Sequence, residues 1–230
     1  MLAAFNSTII SLVPKRQSPS NIKDFRPISC CSVIYKCITK IIVNRLKQYM
    51  PKLISNNQSA FVVGRSIADN VLLVQELVRG YTRKTLSLRC VIKVDLQKAF
   101  DSLNWEFILE VLSIVKFPEQ FIGWIKSCIT TSKFSISLNG GLVGYFKRAR
   151  GIRQGDPLSP YLFVLGMNVL SRLLDVAAQK DVFSFHLKCK KIRLTHLCFV
   201  DDFLIFSKGN FESVIGIQNV LKLFYTYSGL

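Results

Sequence analysis

Between residues 88 and 97 the chain alternates, with Cys90, Ile92, Val94 and Leu96 on one side and Val91, Lys93, Asp95 and Gln97 on the other. That is the period of a strand, and its register gives Asp95 one definite face. From Ser32 to Met50 the period lengthens: Val33, Ile34, Cys37, Ile38, Ile41, Ile42 and Leu46 recur at three- and four-residue intervals, with Lys36, Lys40, Arg45 and Lys47 between them. This predicts a helix, which Pro51 ends. A second helical pattern runs from about Ile67 to Val78 behind the turn-like Gly64-Arg65-Ser66, and a third covers Phe107 to Lys116. Phe134 to Leu138, a turn at Asn139 to Gly141, and extended chain to Arg150 read as a hairpin. Ser159 suits an N-cap and Pro160 the first helical position, so a long apolar helix is expected to about Ala178. Finally, Leu197 to Val200 and Phe203 to Phe206 flank Asp201 and Asp202 as the strands of a tight β-hairpin do. Strands mixed with helices, without repeats or a linker, predict an α+β or α/β sheet domain.

Half of the 230 residues are apolar, enough for a substantial core. Thirty-one lysines and arginines stand against 14 acidic residues, a formal charge of +17 that points to an anionic partner, nucleic acid first. The seven cysteines form an odd set with no C-x-x-C pair and read as core thiols of a reducing compartment. His186, Cys189, His196 and Cys198 match no standard zinc spacing. The apolar stretch around Ile9 to Val13 has neither a basic leader nor a small-residue cleavage site, and the run from Pro160 to Met167 is too short to span a bilayer. An intracellular chain, cytoplasmic or nuclear and without a membrane segment, is the expectation.

Two adjacent aspartates between apolar strands need compensation. If Asp95 reaches the same point, each carboxylate pair at about 4 Å repels by roughly 4 kcal/mol at an effective dielectric near 20, which calls for cations. Oxygen-only ligands suit magnesium, and two such ions serve phosphoryl transfer. Taken alone, the doublet is equally well a polar turn and Asp95 a strand-end cap.

The order of motifs resembles the reverse transcriptase domain of LINE-type (non-LTR) retrotransposons, plant-type elements especially. It is carried by LVPK (12–15), DFRPIS (24–29), NRL (44–46), NQSAF (57–61) with GRSIADN (64–70), VDLQKAFDSLNW (94–105), GIRQGDPLSP (151–160) and FVDD (199–202). The resemblance implies the fingers and palm of a right-hand polymerase, α+β with an antiparallel palm sheet backed by helices. Fingers would occupy 1–88 and palm 89–230, with a fingers-associated hairpin near 134–150. It implies RNA-directed DNA synthesis from an RNA template, a DNA primer and dNTPs. Asp95, Asp201 and Asp202 would hold two Mg²⁺ ions. Lys15 and Arg26 would meet the triphosphate, Phe100 would exclude a 2′-hydroxyl, Gln154 and Gly155 would border the nucleotide, and Arg65 would touch template. Bland readings remain beside these: core packing for Phe100, solvated charge for Lys15 and Arg26, surface turns for Arg65 and for Gln154-Gly155. Val200 stands where related elements usually carry alanine. The chain stops at Leu230, where the family continues into a lysine-bearing strand and the thumb, so a binding remnant without turnover is the alternative expectation.

Overall fold

The computed structural model describes residues 4–81, 88–96 and 98–230. In chain order its elements begin with β1 (Ser7–Pro14), β2 (Phe25–Cys31), α1 (Val33–Leu46), α2 (Met50–Leu53), α3 (Ile67–Val78), β3 (Arg89–Asp95), α4 (Ala99–Ser102) and α5 (Trp105–Ile114). Then follow α6 (Glu119–Thr130), β4 (Lys133–Leu138), β5 (Gly141–Lys147), α7 (Ser159–Gln179), β6 (His196–Phe199), β7 (Asp202–Lys208) and α8 (Phe211–Ser228). The chain forms two compact units, Met1–Gln48 with Phe100–Phe163, and Tyr49–Ala99 with Val164–Leu230. Contacts therefore do not follow one cut at residue 88, and the 134–150 hairpin belongs with the first 48 residues.

The first unit is built on a four-stranded sheet in the order β2-β1-β4-β5. β1 runs antiparallel to β2 and parallel to β4, so Ile10 faces Ser29 on one side and Ile136 on the other. The β4–β5 hairpin closes through Asn139 (φ 49°) and Gly140 (φ 80°), the two positive angles that an Asn-Gly type I′ turn requires. Ser32 caps α1 by accepting a hydrogen bond from the Tyr35 amide. The buried face of α1 carries Tyr35, Thr39, Ile42, Val43 and Leu46, while Val33, Ile34 and Ile41 are exposed. It is thus rotated from the aliphatic stripe read in the sequence. Polar groups share this face: the Tyr35 hydroxyl donates to the buried Asp156 at 2.9 Å, and the buried Thr39 hydroxyl donates back to the Lys36 carbonyl at 3.3 Å. α5 starts at Trp105, capped by the Asn104 side chain, and packs on α6 through a face containing Phe107, Ile108, Val111 and Leu112.

The second unit holds a three-stranded antiparallel sheet, β3-β7-β6. α3, capped by Ser66, sets Leu73, Val74 and Leu77 on a core cluster that includes Leu197 and Phe206. On the other side His196 of β6 reaches Ser171 of α7. α7 is long and apolar enough to cross a bilayer by length and composition, yet most of it is buried inside the protein, Leu165, Met167, Leu170 and Leu174 among the fully covered residues. α8 passes so near the backbone of Val182 that a Cβ at Gly216 would stand 2.1 Å from the Val182 carbonyl oxygen.

The strand expected over 88–97 is Arg89–Asp95, and Gln97 lies outside the described residues. Cys31, Cys128, Cys189 and Cys198 are buried and Cys90 partly so, but Cys30 and Cys37 are exposed. Cys30 points away from Cys31 across the pleat of β2, and Cys37 sits on the outward face of α1, so these two thiols are not core.

Candidate active site

In the second unit β3 ends at Asp95 and β7 begins at Asp202, and the antiparallel register sets these two residues directly opposite one another. Directly opposed residues in such a pair have Cβ atoms about 5 Å apart and on the same face. The β6–β7 hairpin pairs Phe199 with Asp202, leaving Val200 and Asp201 as its two turn residues. Asp201 is thereby held next to the opposed pair by one peptide bond. Asp95 and Asp202 are exposed and Asp201 is half-buried. Lys93, two residues before Asp95 and on the same face, brings its Nζ to 3.3 Å from Asp202 Oδ1. An exposed pair of this kind adds little stability, but it shows the local need for a counter-charge. Among the described residues no group of three or more acidic, histidine or cysteine side chains stands close enough together to hold a metal ion. An apolar groove of about 260 Å³ opens beside Asp202, between α3 (Ile67, Val71, Val74) and the strand residues Leu197, Phe199 and Leu204.

The turn has an unusual backbone. Val200 has φ 58°, a left-handed angle uncommon for any side chain and an outlier for a β-branched one. Gln58 holds it: its Oε1 accepts from the Val200 amide at 3.2 Å and its Nε2 donates to the Val200 carbonyl at 3.5 Å. The segment carrying Gln58 lies along β6, where Asn57 O accepts from Cys198 N at 2.9 Å and Ser59 N donates to Cys198 O at 3.3 Å. Arg65 turns inward to the same segment. Its guanidinium donates to the carbonyls of Ser55, Gln58 and Ile54 at 2.5, 2.7 and 2.9 Å, and less directly to Pro51 and the Asn56 side chain. These hydrogen bonds occupy the guanidinium within the protein and give Arg65 the local task of bracing residues 51–58.

The other candidates lie in the first unit. Lys15 directly follows β1; its amide donates to Asp24 O and its Nζ to Lys23 O at 2.9 Å. Arg26 is an exposed residue of β2, opposite Val13. Gln154 and Gly155, in the turn before α7, lie against β2 farther along, where Ser29 N donates to Gln154 O at 2.8 Å. Gly155 has φ 105°, and a Cβ there would come to 2.9 Å from Ser29 O, so only glycine fits. Phe100 is half-buried and stacks on the fully buried Phe163, with ring centroids 4.8 Å apart and planes 14° from parallel. Its carbonyl accepts from the Ile152 amide at 2.7 Å, which ties it to the 151–155 loop.

No periodicity or motif spacing marks Gln58, Lys93 or Arg153 in the sequence, and Asp156 reads there as a turn or capping residue. Arg153 and Asp156 are each 4 % exposed and lock the loop from below. Arg153 donates to the Cys128 carbonyl and to Asn6 Oδ1 and lies 4.2 Å from the Tyr35 ring centroid, while Asp156 accepts from the Tyr35 hydroxyl and the Leu158 amide. Burial pushes the Asp156 carboxyl above the ordinary aspartate value, against the pull of those donors. The one sequence signal for this cluster was its composition: an Arg and an Asp flanking Gln154-Gly155 within an otherwise apolar approach to α7.

A small antiparallel sheet whose neighbouring strands end in carboxylates at a hairpin tip is the architecture of a polymerase palm. The chain belongs to the reverse transcriptase (RNA-dependent DNA polymerase) family, whose model matches residues 13–230. Its relatives are retrotransposon proteins of the non-LTR kind. The Transposon TX1 uncharacterized 149 kDa protein of Xenopus laevis is 32% identical over 197 residues, 86% of this chain and 15% of that protein. The Pol polyprotein of the R2DM element of Drosophila melanogaster is 30% identical over 211 residues, 91% of this chain and 18% of that protein. The chain thus spans less than a fifth of the length of either relative. Among solved structures, an apo telomerase from Candida tropicalis truncated from its C-terminal domain aligns with a TM-score of 0.62 at 18% identity, covering 98% of this chain and 48% of that one. A Candida albicans telomerase in complex with a TWJ fragment of telomeric RNA aligns at 0.65 and 13% identity, covering 99% and 41%. At these identities the likeness is one of fold, that of reverse transcriptase fingers and palm.

Proposed function

We propose that this chain carries the nucleotidyl-transfer site of an RNA-directed DNA polymerase, extending a DNA primer on an RNA template with dNTPs. The observation that carries the reading is the register that opposes Asp95 to Asp202 and seats Asp201 in the adjoining turn. In the reaction the primer 3′-hydroxyl loses its proton and attacks the α-phosphorus, and pyrophosphate leaves. The donor chemistry suits hard divalent cations: carboxylate oxygens only, reachable by solvent, with Lys93 as the ionic partner of Asp202. Two magnesium ions, held by Asp95, Asp201 and Asp202, would supply positive charge for the attacking and leaving oxygens. The protein's part is to hold these carboxylates on rigid strand ends and an immobilised turn.

In the same proposal Lys15 and Arg26 supply point and bidentate charge for the triphosphate. Gln154 and Gly155 present backbone to the nucleotide, and Phe100 offers one ring face to the sugar while Phe163 supports the other. Arg65 borders the template in this proposal, its guanidinium bracing residues 51–58 beneath it. Seven thiols without a disulfide suit an intracellular, reducing setting.

Primer extension by the purified chain on an RNA template with Mg²⁺ tests the reading. Asp201→Asn should lower extension by about two orders of magnitude or more. Equal extension by variant and original would remove the carboxylates from the chemistry, and RNA binding without any extension by the original would leave a binding function alone.

A further inference from the structure

Hydrogen bonds around the β6–β7 turn converge on one side chain. Gln58 is 2 % exposed, and its amide brackets both polar groups of a single residue, the N–H and the C=O of Val200. The same Oε1 also accepts from the Ala60 amide at 2.9 Å, so the orientation of the amide is fixed: its oxygen faces two donors and its nitrogen faces an acceptor. Gln58 cannot drift. Its own carbonyl is held by Arg65, and its neighbours on either side pair with Cys198. Asn70 adds a further tie, donating to Ser59 Oγ at 2.9 Å and to Cys198 O at 3.2 Å.

What this rigid bracket holds is the least favourable backbone of the hairpin. A valine at φ 58° is sterically strained, and such a conformation persists only where the surroundings impose it. Val200 is also the residue immediately before Asp201, so any relaxation of its peptide would move the Asp201 carboxylate relative to the ladder-held pair Asp95 and Asp202.

We propose that Gln58 is a positioning residue of the polymerase site: its side-chain amide holds Val200 in the left-handed turn that presents Asp201 and Asp202. The link to catalysis rests on the reading of these aspartates given above; the link to the turn does not.

The experiment is a double-mutant cycle on the purified chain with Gln58→Leu, Val200→Gly and the pair together. Three readouts are taken: Mn²⁺ affinity by calorimetry, thermal unfolding, and primer extension resolved into kcat and the KM for dNTP. Gln58→Leu should weaken Mn²⁺ binding and lower kcat by about 10- to 100-fold, as loss of a supporting partner does at metal sites. The KM should change little. Glycine takes a positive φ without steric cost, so Gln58→Leu should lose markedly less in the glycine background, in Mn²⁺ affinity and in unfolding temperature alike. If Gln58→Leu fails to fold, Gln58→Glu takes its place, keeping size and the acceptor while removing the donor to Val200 O.

Equal losses in the valine and glycine backgrounds would overturn the proposal, as would an Mn²⁺ affinity unaffected by either Gln58 variant. If the original chain neither binds Mn²⁺ nor extends a primer, the polymerase reading fails. The unfolding cycle then still decides whether Gln58 holds the turn.

Discussion

Phe100 illustrates how a single side chain can be structural on one face and available on the other. Its ring lies on Phe163, which has no exposed surface, and the remainder of the ring is partly accessible. A flat, supported ring is a good steric stop because it cannot yield by changing rotamer without losing its stack. Phe100→Val removes the outer part of that surface and should raise the ratio of ribonucleotide to deoxynucleotide kcat/KM, by between about 10- and 200-fold, the range a small steric difference in a pocket can yield. An unchanged ratio in single-nucleotide incorporation would limit Phe100 to packing. Gly155 belongs to the same scale: its φ of 105° and the nearby Ser29 carbonyl leave no room for a Cβ, so the backbone of the 151–155 loop stays bare where a ligand would approach.

Among the elements, β6 and α7 are joined by a buried histidine. His196 has no exposed surface; Thr195 Oγ1 lies 2.7 Å from Nδ1 and Ser171 Oγ 2.9 Å from Nε2. The Thr195 hydroxyl donates to Asp175 at 2.6 Å, and Asn57 Nδ2 also lies 3.5 Å from Nδ1, so both ring nitrogens have polar neighbours inside the protein. Burial pushes His196 down from 6.5 to about 3. In the unfolded chain the ring takes a proton near 6.5, whereas in the folded protein it stays neutral until about 3. Its contribution to stability is therefore complete above the unfolded value and is lost as pH falls between these two values, about 2 kcal/mol of it by pH 5. Asp156 and Asp175, raised by burial, have the opposite sign at lower pH, so the comparison must be made against His196→Gln. From pH 7 to 5 the original should lose unfolding free energy more steeply in urea titrations than the variant; parallel slopes would show that the ring is not held neutral. Element by element, the sequence was most readable where one periodicity governed. The alternation around Val94 placed Asp95, the Asn139-Gly140 pair marked its hairpin, and Ser159-Pro160 opened α7. It was least readable where polar groups faced inward. Tyr35 turns the buried face of α1 away from its aliphatic stripe, and Gln58 looks like a loop residue until its three hydrogen bonds, to Val200 and Ala60, are in place. β1 gave no strand signal because Ile9-Ile10 and Leu12-Val13 break the alternation, and Ile9 and Val13 remain exposed in the folded sheet.

At the scale of the whole molecule, +17 charges on 230 residues make association with a polyanion strongly dependent on salt. For single-stranded RNA, contact with about six phosphates would weaken binding by roughly 300-fold between about 50 and 200 mM salt. Fluorescence anisotropy with a labelled RNA oligonucleotide should show a linear fall of log affinity with log salt, and a flat response would separate the charge from nucleic-acid binding. The order in which the units take up the chain has its own outcome. Because the polypeptide changes unit at residues 48, 99 and 163, and Ser7 of β1 finds its parallel partner only at Lys133, a ribosome delivers the edge of the first sheet long before the strand that covers it. Until β4 emerges, β1 and β2 form at most a two-stranded ribbon, which is marginal in water and offers its open side to any other extended segment. Synthesis of this protein thus contains a built-in interval of vulnerability to misassembly, whose length is set by translation speed and which slower elongation would prolong.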